Sequence, residues 1–144
     1  MGPIDLLKIW DTCASGVTEE LDFRNEARNA AAFDESLAFL GYATVPAVVP
    51  ELTSGKVIVS EWVFGRHLED LSPAEALRFC TMSVEAVTAG LVCTGLVHAD
   101  PHEGNMMLAD DGRIVFLDFG LMSEVPDDIM DAFALGIQAV LNRD

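Results

Sequence analysis

Residues 98–120 read HADPHEGNMMLADDGRIVFLDFG, and this stretch decides the fold. It gathers two acids, Asp100 and Asp118, and an amide, Asn105, around two short apolar runs, Met106–Leu108 and Ile114–Leu117. Asp110-Asp111-Gly112 lies between the runs and is a turn sequence, so the spacing predicts a β-hairpin. A hairpin returns its ends to one place, which brings the loop His98–Asn105 beside Asp118-Phe119-Gly120. Taken one at a time, Asp100 and Asn105 could cap turns and Asp118 could open a tight turn before Gly120. That reading leaves the agreement of the spacings unexplained.

Phosphoryl transfer needs such a set. A carboxylate orients or deprotonates the attacking hydroxyl, and oxygen ligands hold Mg²⁺ against the phosphates. Protein kinases write this as H-R-D-x-x-x-x-N, then a hairpin, then D-F-G. Here His98-Ala99-Asp100 is followed five residues later by Asn105, and after the predicted hairpin by Asp118-Phe119-Gly120. Ala99 replaces the loop arginine, and His102 and Gly104 fill the loop. A lone DFG carries little weight; the joint pattern is specific because three spacings and a local structure must agree.

Working outward, residues 5–14 read as a short helix interrupted by Ser15-Gly16. Thr18 is the expected N-cap of a longer helix running to about Phe39, with Gly41 just past its end. VPAVVP and KVIVSEWVF, separated by ELTSG, read as a hairpin closed by Gly65. Ser72, Pro73 and Glu75 start a helix that is apolar almost all round and is therefore expected to be central and buried. The last helix starts near Pro126, with Ile129, Phe133, Ile137 and Val140 on one face. The order predicts an α+β fold with one continuous core.

Composition excludes several classes. The 144 residues suit one domain, with 51% apolar and 22% charged residues. Twenty-four acidic residues against eight basic ones give a net charge of −16. That leaves no basic footprint for nucleic acid or anionic lipid. Cys13, Cys80 and Cys93 show neither a CxxC spacing nor an even count, so reduced thiols are expected rather than disulfides or zinc. The longest apolar stretch, AVTAGLVCTGLVHA, falls short of the ~20 residues of a spanning helix, and no transmembrane segment is expected.

HADPHEGN with LDFG, preceded by ELDFRNEARNAAAF, closely resembles the UbiB-type, aarF-domain or ADCK group of atypical kinases over nearly the whole chain. Glu103 stands where that family's HADPHPGN has Pro. The resemblance implies a partial protein-kinase-like fold: residues 1–60 the remainder of the N-lobe, 61–65 the hinge, 66–144 the first part of the C-lobe. It implies ATP and Mg²⁺ as cofactors, Asp100 as catalytic base or orienter, and Asn105 and Asp118 as metal ligands. The family's ExD motif falls on Glu20 and Asp22, and its helix-C glutamate on Glu26. From the residues alone, Asp22 and Glu26 are equally an acidic helix face with no basic residue at the adjacent turn. Backbone groups of Glu61 and Val63 would meet the adenine, although an ordinary strand end fits those residues too. His98 is expected to orient the catalytic loop through hydrogen bonds, and His102 to assist at the phosphates or brace the loop.

Lys8 and Lys56 are the only lysines, and neither stands where the family carries its N-lobe lysine. Glu26 is therefore expected to pair with a lysine supplied from outside these residues. Five residues separate Gly120 from Pro126, too few for a conventional activation loop. The resemblance implies an ATP-dependent phosphotransferase or ATPase linked to isoprenoid quinone biosynthesis or lipid homeostasis. Its partners would be a nucleotide and a lipid or quinone-pathway intermediate or enzyme. Its location would be mitochondrion or plastid in eukaryotes and cytoplasm or membrane surface in bacteria. The alternative is a pseudokinase-like nucleotide-binding or interaction module without turnover.

Overall fold

Helix α1 spans Phe23–Leu37 in the computed structural model, which describes residues 22–142. The cap expected at Thr18 lies outside the described residues, as do the helix expected over 5–14 and Glu20. Within them the helix starts later than expected, because Asp22 is the N-cap. Its backbone is extended (φ −117°, ψ 99°) and its side chain accepts from the Arg24 N–H. A carboxylate does this well, since it satisfies an orphan donor and faces the positive end of the helix dipole. Arg24 also lies 3.9 Å from Asp22, so a cation does stand beside this acid. The helix tightens into a 3-10 turn over Ala38–Leu40 and ends at Gly41, whose φ of 71° is the left-handed cap glycine tolerates. Ala30, Phe33 and Leu37 form its buried stripe.

The sequence 46–63 folds back as an antiparallel hairpin made of isolated bridges, Val48 with Ser60 and Ser54 with Val57. Pro46 and Pro50 have no N–H to give to a ladder, which keeps the hairpin from becoming regular strand. The main sheet is β1 (Ala43–Thr44), β5 (Ile114–Phe116), β4 (Met106–Ala109) and β2 (Gly65–Arg66), in that order. The expected hairpin is the β4–β5 pair, with Met106 opposite Phe116 and Gly112 at φ 86° in the turn. β1 adds in parallel to β5, and Asp34 ties α1 to it by accepting from the Thr44 hydroxyl and the Val45 N–H. Gly65 is required where β2 meets β4: a Cβ there would stand 2.5 Å from the Leu108 carbonyl oxygen. A second ladder joins β3 (Leu96–His98) to β6 (Met122–Glu124).

Helix α2 (Pro73–Ala89) carries the expected capping box between Ser72 and Glu75 and passes into a π-turn over Gly90–Thr94. It is not central, which corrects the expectation. Phe79, Met82, Ala86 and Ala89 are buried, but Leu77 and Val84 on the other face are 71% and 65% exposed. An all-round apolar helix has no periodicity to say which side packs. Pro73–Thr94 is also the one helix among the described residues long and apolar enough to cross a membrane. Its inner face nonetheless packs with α1 and the sheet. Helix α3 (Asp127–Asn142) lies outside the core as well: Ile129, Phe133, Ile137 and Val140 share a face, yet all are exposed. The core is therefore α1, the inner face of α2 and the main sheet.

Candidate active site

The β3–β6 ladder closes the loop that carries the polar residues. Its register sets His98 opposite Met122, and Ala99 N–H donates to the Leu121 carbonyl at 3.0 Å. The chain from 99 to 121 thus begins and ends at one point. Further bonds stitch it internally: Leu117 N–H to the Asn105 carbonyl (2.9 Å), and the Asn105 side-chain amide to the Asp100 carbonyl (3.4 Å). Asp100, Asn105 and the segment before Asp118 are held together by these bonds, as the hairpin spacing predicts.

His98 is the buried pivot, 3% exposed among Phe33, Phe116 and Phe119. Its Nδ1 accepts from the Asp100 N–H at 3.2 Å, which leaves the proton on Nε2, facing the Asp118 carbonyl. One ring thereby links the backbones of both acids. Burial pushes its pKa below the ordinary 6.5, and the Asp118 carbonyl opposes that shift. His102 repeats the tautomer: Nδ1 accepts from Gly104 N–H at 3.0 Å, and Nε2 lies 3.7 Å from the Asp100 carboxylate. A side chain at position 104 would put its Cβ 2.9 Å from the exposed His102 ring, which would have to shift.

Asp118 is exposed and accepts from Gly120 N–H at 2.9 Å; no described residue forms an ion pair with it. Glu26 faces it from α1. Burial raises the Glu26 pKa above 4.5, the nearby Phe119 backbone N–H opposes that shift, and the charge on Asp118 raises it again. The charge of Asp118 acts on Glu26, and a cation beside the pair would relieve it; Arg28, which lines the same cavity as Glu26, is one such charge. No group of three or more His, Cys, Asp or Glu suited to a metal exists among the described residues. Mg²⁺ does not require one, since it takes one or two protein oxygens with phosphate oxygens and water. The Asn105 amide oxygen and the Asp118 carboxylate are hard donors that fit it.

The other expected site residues are dispersed. Asp22 and Glu26 line a 380 Å³ cavity with Asn29, Gly120 and Glu124. Glu61 and Val63 line a different one of 500 Å³, with Trp62 and Val115. Glu61 N–H is already bonded to the Ala47 carbonyl at 2.8 Å, which leaves its carbonyl for a ligand. Lys56 sits in the turn of the 46–63 hairpin, and no ion pair joins it to Glu26. Two features escaped the sequence reading. The β3–β6 ladder was hidden because Met122-Ser123-Glu124 has no apolar alternation. Asn29, which donates to the Phe119 carbonyl at 2.9 Å, left a faint signal: a weak helix former amid alanines, three residues after Glu26.

Comparison with known proteins agrees with this geometry. A protein of Arabidopsis thaliana named activity of bc1 complex kinase 3, chloroplastic, is 35% identical over 97% of this chain. An aarF domain-containing protein kinase of the same plant, also named chloroplastic, is 33% identical over 97%. The chain spans 20% of the length of each. The solved complex of Rv3197 from Mycobacterium tuberculosis with erythromycin superposes with a TM-score of 0.65 at 30% identity, covering 85% of this chain and 32% of that one. The model of the ABC1 atypical kinase-like domain matches residues 2–144, and the chain belongs to that family.

Proposed function

We propose that these residues form the catalytic-loop part of an ATP- and Mg²⁺-dependent phosphotransferase or ATPase. The observation that carries the reading is the single closed loop in which His98 links the backbones of Asp100 and Asp118. Asp100, exposed and beside the His102 Nε2–H, takes the role of orienting or deprotonating the acceptor hydroxyl. Asn105 and Asp118 hold Mg²⁺, which would neutralise charge developing on the phosphates. Glu26 lowers its own electrostatic cost by facing a cation, either that metal or a lysine from outside these residues. Glu61 and Val63 offer backbone groups to the adenine, and Asp22 lines the approach from the helix start; the role the resemblance gives Glu20 belongs to a residue outside the described ones. The relatives' names support a kinase-like role and, in plants, a plastid location. A quinone-pathway or lipid acceptor is the corresponding substrate proposal.

A second reading, nucleotide binding without turnover, is favoured by one observation: no described lysine forms an ion pair with Glu26. Calorimetric titration of ATP with Mg²⁺, and of ATP in EDTA, into wild type and Asp118→Ala tests the metal assignment. The variant should lose the Mg²⁺-dependent part; equal responses would sink the assignment. Hydrolysis by these 144 residues alone should be weak or absent.

A further inference from the structure

Phe119 meets α1 along its whole length. Its N–H lies on the Glu26 side, its carbonyl accepts from Asn29 Nδ2 at 2.9 Å, and its ring, 2% exposed, packs on Phe33 at 5.6 Å between centroids. Glu26, Asn29 and Phe33 stand at i, i+3 and i+7, one face of one helix. The Asn29 contact has a consequence the other two lack. The Phe119 carbonyl and the Gly120 N–H belong to the same peptide plane, and in a trans peptide they point in opposite directions. At the carbonyl end stands Asn29; at the N–H end, 2.9 Å away, stands Asp118 Oδ1.

We propose that Asn29 is a positioning residue for Asp118: by fixing the Phe119–Gly120 peptide plane it aims the Gly120 N–H at the Asp118 carboxylate and so sets that carboxylate's orientation. Were the plane to turn over, the Phe119 carbonyl would face Asp118 in place of the N–H and repel it. Gly120 makes such a turn cheap on its side, because glycine takes either sign of φ. A donor on α1 is therefore what keeps the plane one way up. Glu26 cannot do this, since it faces the preceding plane, the one containing the Phe119 N–H. The inference rests on the metal role proposed for Asp118 and would add α1 to the parts that decide metal affinity.

Asn29→Asp tests it, keeping the size of the side chain while replacing the donor with an acceptor. In the full chain, amide exchange followed by NMR should show the Gly120 N–H losing protection about tenfold or more, while α2 amides stay unchanged. Titrations should show affinity for Mg²⁺-ATP falling about tenfold, with affinity for ATP in EDTA unaltered; a general loss of structure would move both. Unchanged Gly120 protection in Asn29→Asp overturns the proposal, whatever the nucleotide results. A wild-type chain whose ATP binding ignores Mg²⁺ overturns the metal assignment instead, and the exchange experiment still decides the peptide plane. Should the variant not fold, wild type suffices: the Asn29 Nδ2 to Phe119 carbonyl bond must give a through-hydrogen-bond coupling and protected side-chain amide protons. Free exchange of those protons overturns it equally.

Discussion

His98 was legible in the sequence as a loop-orienting residue, but its burial was not. Three aromatic rings from distant segments surround it. Burial depresses its pKa, so between the folded value and 6.5 the unfolded chain binds a proton that the folded chain refuses. The stability contributed by neutral His98 is thus present above 6.5 and lost as the pH falls below it. Melting temperatures measured at descending pH should fall through this window in wild type. In His98→Gln, starting lower, that part of the slope should be missing. Glu26 has the opposite sign. Its pKa is raised above 4.5, so its contribution is present below 4.5 and lost as the pH rises through the folded value. Glu26→Gln, which removes the buried charge, should melt higher than wild type at neutral pH without ligand. Asp118→Asn should move the Glu26 carboxyl titration, followed by carbon-detected NMR, down toward 4.5.

Elements with a local signature were read correctly, and those built by distant partners were not. The β4–β5 hairpin followed from Asp110-Asp111-Gly112, and the start of α2 from Ser72, Pro73 and Glu75. The Ser72 hydroxyl and the Glu75 carboxylate satisfy each other's backbone donors, while Arg66 pairs with Glu75 and helps bring its pKa down to about 2. Ser72→Ala should cost about 1 kcal/mol in urea unfolding, the ordinary worth of an N-cap. β1, β2 and β6 are two or three residues long, too short for any alternation to announce them. They exist because partners were already in place. Gly65→Ala tests one such dependence: its Cβ would press on the Leu108 carbonyl and Ala109, costing about 1–3 kcal/mol.

At the scale of the molecule, the apolar surface divides into a part that is used and a part that is not. Phe33 is 2% exposed at the centre of the aromatic cluster, whereas Phe133 on α3 is 48% exposed. Chemical unfolding should show Phe33→Ala losing about 3–5 kcal/mol. Phe133→Ala should lose under about 1 kcal/mol, although both stand on amphipathic helices of similar length.

The sequence by itself determined which helices exist among the described residues, where the central hairpin turns, and that Asp100, Asn105 and Asp118 come together. These depend on caps, turn residues and short spacings, which act over a few residues. Tertiary structure decided the rest: that only one face of α2 is buried, that α3 packs little of its apolar face, that β3 and β6 close the loop, and that Asn29 holds Phe119 across ninety residues of chain. Periodicity reports that a helix has an apolar side. Whether another surface meets that side, and which peptide a side-chain amide finds, is set only when separate elements pack.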